Sequence, residues 1–128
     1  MDLNQITLPC RDYAASVRFY QALGLRQIVD SPPRYARFET PGGATISIHA
    51  VDEIAVAPGV VVYFEVADVD ATVSALVAAG IEFDTGPTDQ DWLWREARLT
   101  DPAGNELCIY HAGENRRYPP WRVGDANE

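Results

Sequence analysis

Among the side chains able to move a proton, four are candidates for catalytic work: His49, Tyr63, Glu65 and Glu96. A carboxylate half buried beside aromatic rings is pushed toward its neutral acid, which suits it to general acid or base work near neutral pH. Histidine titrates in that range unaided. A second set is better suited to holding a molecule than to changing it. Trp92, Trp94 and Tyr110 offer aromatic surface, while Gln5, Ser47, Arg98 and Cys108 offer polar contacts. Tryptophan faces take flat or cationic groups by stacking and cation–π attraction, worth about 0.5–2 kcal/mol each. Either chemistry requires these residues to share one surface, which depends on the elements that carry them.

Those elements occur twice. Gln5-Ile6-Thr7-Leu8-Pro9-Cys10-Arg11-Asp12 aligns with Val61-Val62-Tyr63-Phe64-Glu65-Val66-Ala67-Asp68 at an offset of 56 (61 minus 5). Both alternate in the period-2 pattern of a strand, predicted from Leu3 to Cys10 in the first copy. Asp12 and Asp68 then stand where an N-cap oxygen accepts orphan backbone N–H groups, ahead of predicted helices Tyr13 to Leu23 and Val69 to Ala79. Gly24 and Gly80 follow at the matching place, where a left-handed residue stops a helix. Leu25 to Ile28 and Ile81 to Phe83 read as second strands. Arg34 to Thr40 and Trp92 to Thr100 read as third strands, Ala44 to His49 and Glu106 to His111 as fourth strands. Turns at Pro41-Gly42-Gly43 and Asp101-Pro102-Ala103-Gly104-Asn105 join them. Near the end the offset grows to 61 (108 minus 47), so the second copy carries five extra residues, placed in a loop from Asp84 to Asp91.

The predicted fold is α+β: two tandem β-α-β-β-β units forming a curved mixed sheet with helices on the outer face. It is one domain, with unit one at 3–50, a linker at 51–59, unit two at 60–112 and a C-terminal tail at 113–128. Alternation places Ile6, Leu8, Ile46, Ile48, Val62, Phe64, Ala97, Leu99, Leu107 and Ile109 on the face the helices cover. The opposite face carries Gln5, Thr7, Tyr35, Arg37, Glu39, Ser47, His49, Val61, Tyr63, Glu65, Trp92, Trp94, Glu96, Arg98, Cys108 and Tyr110. Rings mixed with hydrogen-bonding groups are the composition of a ligand cleft.

Composition narrows the partners. The chain is 47% hydrophobic and 23% charged, ordinary values for a globular protein. Its net charge of −9 argues against nucleic acid and permits a cationic ligand. No apolar run reaches the roughly 20 residues that span a bilayer. The first residues lack the pattern of a signal peptide, so a cytoplasmic location is expected. Cys10 and Cys108 each lie in a strand pattern and read as buried, reduced thiols.

Several of these segments together resemble the vicinal oxygen chelate superfamily, which includes glyoxalases, extradiol dioxygenases and bleomycin-resistance proteins. The carriers are the opening Gln5 to Asp12, then Ser16-Val17-Arg18-Phe19-Tyr20 and Leu23-Gly24-Leu25 in unit one. In unit two they are Trp94-Arg95-Glu96 and Asp101-Pro102-Ala103-Gly104-Asn105. The resemblance implies metal ligands on matched strands, and carrying the positions over places them at Gln5, Ser47, Val61 and Cys108. Only Gln5 is a residue the family uses there. A retained site would have to be built from Gln5, His49 and Cys108, so a divalent metal is disfavoured and no cofactor is expected.

The resemblance is nearest in feel to the bleomycin-resistance type. It implies a metal-free protein that binds an aromatic or cationic small molecule in an acidic cleft, with Gln5, Ser47, His49, Tyr63, Trp92, Trp94, Arg98, Cys108 and Tyr110 as ligand contacts. It also implies a homodimer; the tail core Tyr118-Pro119-Pro120-Trp121 reads either as a lid or a clamp on the partner, or as a frayed terminus. The alternative is an enzyme of the same superfamily, a lyase, isomerase or dioxygenase. It would have an atypical metal site or acid–base chemistry on His49, Glu65, Glu96 and Tyr63.

Overall fold

In unit one, β1 (Gln5–Cys10) leads to α1 (Tyr13–Ala22), β2 (Arg26–Ser31), β3 (Tyr35–Glu39) and β4 (Thr45–Ala50). Unit two repeats the order with β5 (Val61–Glu65), α2 (Val69–Ala78), β6 (Thr85–Asp89), β7 (Arg95–Thr100) and β8 (Glu106–His111). This is a computed structural model, and it describes residues 1–54 and 59–124. Residues 55–58 of the expected linker and 125–128 of the expected tail lie outside the described residues. The sheet divides into two four-stranded sheets of matching order, β1-β4-β3-β2 and β5-β8-β7-β6. In each, the first strand runs parallel to the fourth and the other pairs are antiparallel.

The repeat holds at the level of single hydrogen bonds. Asp12 accepts from the Ala15 amide and Asp68 from the Ala71 amide, both at 3.0 Å. Gly24 (φ +100°) and Gly80 (φ +95°) occupy the left-handed conformation that ends each helix. The next amides, of Leu25 and Ile81, turn back to Tyr20 and Leu76 at 3.1 and 3.0 Å, closing a Schellman motif in both units.

The largest departures from the predicted elements lie in unit two. Ile81 to Phe83 is not a strand; β6 begins at Thr85 and occupies most of the expected loop. Trp92 to Trp94 is not strand either, but the turn that joins β6 to β7, with Leu93 at φ +69°. Register locates four of the five extra residues. Ser31 lies opposite Tyr35 as Thr88 lies opposite Glu96, so the offset rises from 57 (88 minus 31) to 61 (96 minus 35) across this turn. The insertion that distinguishes unit two is therefore the segment that carries Trp92.

One core serves both units. Leu8, Phe38, Ile46 and Ile48 of unit one pack in a single cluster with Leu76, Leu99, Leu107 and Ile109 of unit two. Two polar contacts tie the units across it. The Tyr20 hydroxyl donates to Asp101 at 2.6 Å, and the Asn105 side-chain amide donates to the Pro9 carbonyl at 3.0 Å. Cys10 and Cys108 are buried and free, as read from their strand positions.

Candidate functional site

The sheet faces turned away from the helices carry the candidate residues, and the two units set them in the same places. Thr7, Ser47 and Arg37 share a rung across β1, β4 and β3. Tyr63, Cys108 and Arg98 share the corresponding rung across β5, β8 and β7. One rung further, Tyr35 faces His49 and Glu96 faces Tyr110.

In unit two the Arg98 guanidinium grips Glu96. Its Nε and Nη2 donate to one carboxylate oxygen at 3.2 and 2.9 Å, while the Trp92 indole N–H donates to the other at 2.8 Å. Glu96 is only 2% exposed, so these charge-assisted bonds replace the water it gives up. Arg98 Nη2 also donates to the Tyr63 hydroxyl at 3.1 Å, and the guanidinium lies 5.4 Å from the centre of that ring. Cys108 sits beneath. Burial, followed by the Glu96 charge, pushes its thiol up to about 12. It is therefore protonated at neutral pH and a poor nucleophile.

Aromatic rings surround this pair. Trp94 and Tyr110 lie 4.9 Å apart, and Tyr63 meets both edge-on at 5.8 and 5.3 Å. Trp94 is pinned by a bond from its indole N–H to the Asn115 carbonyl at 3.2 Å, so the start of the tail rests on it. Tyr63 and Trp92 keep 40% and 44% of their surface exposed, although their polar atoms are held. They are the rings with surface available to a ligand.

In unit one, Arg37 makes the same two-pronged grip, on a phenol. Its Nε and Nη2 donate to the Tyr35 oxygen at 3.0 and 2.8 Å. That oxygen lies 2.7 Å from the Ser47 hydroxyl, which accepts from the Gln5 amide at 3.0 Å. The bond with Ser47, and after it the Arg37 guanidinium, hold the Tyr35 phenol below its ordinary pKa against the opposing effect of burial. Gln5 is committed at its other end as well, where its oxygen accepts from Thr45.

The predicted residues thus separate by unit. Gln5 and Ser47 meet in unit one, and Tyr63, Trp92, Trp94, Glu96, Arg98, Cys108 and Tyr110 meet in unit two. His49 shares the polar face with Tyr35 but is exposed. Glu65 accepts from the Ala112 and Gly113 amides at 2.8 and 2.9 Å and lies 3.7 Å from Arg116, so it anchors the short helical turn Gly113–Arg116. Between β1 and β5, the end strands of the two sheets, a cleft of about 380 Å3 is lined by Gln5, Thr45 and Tyr63 with apolar Ile6, Ile46, Val62 and Phe64. Tyr35 and Arg37 lie on the polar face that alternation predicts but outside the expected ligand contacts. The signal for them is Tyr35-Ala36-Arg37 standing over Glu96-Ala97-Arg98.

The donor set does not fit a divalent metal. The four family positions hold an amide already bonded to Ser47 and Thr45, a hydroxyl bonded to Tyr35, a valine, and a fully buried thiol. Among the described residues no three His, Cys, Asp or Glu side chains come together.

This is an architecture of two paired β-α-β-β-β units with matching strand order. Residues 2–109 match the Glyoxalase/Bleomycin resistance protein/Dioxygenase superfamily, and the chain belongs to that family. It is similar to a family enzyme of that description from Burkholderia phytofirmans PsJN, with 26% identity, TM-score 0.72, and 88% of this chain and 99% of the other covered. It is also similar to one from Nocardioides, with 26% identity, TM-score 0.76, and coverage of 97% and 90%. A lactoylglutathione lyase from Agrobacterium tumefaciens shares the fold at 18% identity, TM-score 0.71, with coverage of 86% and 92%. No curated protein matches the chain. Among the described residues no helix is long and apolar enough to cross a membrane.

Proposed function

We propose that the chain is a metal-free small-molecule-binding protein that takes an aromatic ligand, cationic ones included, against Trp92 and Tyr63 on the polar face of unit two. The observation that carries this reading is the pair of half-exposed rings whose polar atoms are fixed by Glu96 and Arg98. Rings held this way lose little freedom when a ligand stacks on them. The net charge of −9 favours a cation at long range. Nearby, the carboxylates of Glu96 and Glu65 are already engaged, so the recognition rests on stacking rather than on a free carboxylate. The same commitments leave Glu65 and Glu96 ill placed for acid–base work, which makes binding the better-supported reading over an enzyme.

A homodimer belongs to this proposal. Tyr118 and Trp121 of the tail are 52% and 57% exposed, and a second copy would cover them. Isothermal titration with 1-naphthylmethanol, 1-naphthylmethylammonium and 1-naphthoate tests the ligand reading. Saturable binding of at least one of these, weakened roughly 3- to 30-fold in Trp92→Ala, is expected. Binding that is unchanged in Trp92→Ala would contradict it.

A further inference from the structure

The two units hold the same arginine in the same grip but with different charge. Arg98 is gripped to a carboxylate, and the pair sums to zero. Arg37 is gripped to a phenol, and the neutral phenol leaves it a net positive charge. We propose that Arg37, with Tyr35 and Ser47, is a binding seat for an oxyanion, a carboxylate or phosphate group, on the polar face of unit one. The proposal does not depend on the aromatic reading, which concerns unit two.

Among the described residues no carboxylate stands within ion-pair distance of Arg37. Glu39, the next residue on the same face, leans instead toward Arg26 at 3.8 Å. Unit two supplies its arginine with an internal counter-ion and unit one does not, although register and grip are otherwise matched. A ligand anion would do for Arg37 what Glu96 does for Arg98.

The seat is also pre-shaped. Two guanidinium nitrogens are fixed by the Tyr35 oxygen and the guanidinium carbon lies 5.5 Å from the ring centre, so the planar fork is oriented before a ligand arrives. The phenol oxygen accepts both N–H bonds and shares a further hydrogen bond with Ser47, itself fully buried and held by Gln5. The remaining guanidinium N–H groups are the donors left for an oxyanion. The chain's negative charge opposes this only at long range, since exposed charges are screened beyond about 8 Å at physiological salt.

The test is isothermal titration of the whole protein with sodium acetate and inorganic phosphate at constant ionic strength, with chloride as reference. Saturable binding of one or both is expected, and which one binds tells carboxylate from phosphate. Arg37→Gln should weaken it about tenfold or more, the scale of a charge-assisted bond. Arg37→Lys, which keeps the charge and the fold but not the fork, should fall between. Arg95→Gln, a surface arginine paired with Asp70 and Asp89, should bind as the parent does. Absence of saturable binding, or equal binding in Arg37→Gln and Arg37→Lys, overturns the proposal. So does binding that appears only in Tyr35→Phe, because Tyr35 would then be a phenolate serving as the counter-ion itself.

Discussion

The Tyr20 hydroxyl donates to the Asp101 carboxylate at 2.6 Å and so ties the helix of unit one to the hairpin turn of unit two. Tyr20 is fully buried and Asp101 is 5% exposed. Asp101 also accepts from the Ala103 and Asn105 amides at 2.9 Å, which holds the turn in shape. One carboxylate thus shapes a local turn and joins the two halves of the repeat.

Tyr20→Phe removes a buried partner of a charged group, but Asp101 keeps its amide donors. We expect a loss of about 1–3 kcal/mol, read as a lower urea midpoint with an unchanged slope. An unchanged midpoint would show that the units are held by the apolar core alone.

Alkaline pH should destabilise the fold. Burial raises the Cys10 thiol above its ordinary 9.0, takes Cys108 to about 12, and raises the Tyr20 phenol strongly. Groups with a raised folded pKa contribute stability that is complete below the unfolded pKa and is lost as pH rises through the folded one. For Cys108 that window runs from about 9 to about 12. Urea midpoints should hold steady up to pH 8 and fall above pH 9. Both thiols should resist iodoacetamide in the folded protein at pH 8 and react once it is unfolded.

The matched arginines should differ in stability. Arg98→Met strands a carboxylate that is 2% exposed, leaving it the Trp92 indole and the weak Cys108 thiol as side-chain donors. The cost expected is about 2 kcal/mol, kept moderate because Arg98 itself is 35% exposed and screened by solvent. Arg37→Met strands only a phenol that still has Ser47, and should cost under about 1 kcal/mol. Equal losses, measured by urea unfolding, would mean the two grips are energetically alike.

Much of this architecture is legible in the sequence because each device has its own local signature. Asp12 and Asp68 as caps, Gly24 and Gly80 as stops, and the alternation around Leu8 and Phe64 each follow from one residue's backbone or burial preference. The polar face follows from the same alternation. Boundaries near Trp92 do not, since tryptophan suits a strand as well as a turn and the insertion hides the register. The division of site residues between units is also invisible locally. It depends on which side chain Arg37 and Arg98 reach, and those contacts become apparent only when the third strands are set side by side.

Ligand affinity should follow Trp92 more than Trp94. Trp92 keeps 44% of its surface exposed, while Trp94 is packed against Tyr63 and Tyr110 and held by Asn115. Trp92→Ala should weaken binding of 1-naphthylmethylammonium by roughly 3- to 30-fold, the scale of one stacking or cation–π contact. Trp94→Phe should change it by less than about threefold. The reverse order would move the site toward the tail.

The central claim, binding without a metal, is tested most directly by one titration. Protein is stripped with EDTA, dialysed, and titrated calorimetrically with 1-naphthylmethylammonium in the presence and absence of added Zn2+, Mn2+ or Ni2+. The account predicts the same affinity in every arm, with no stoichiometric metal remaining in the stripped protein. Binding that is abolished by stripping and restored by one of these ions would contradict it.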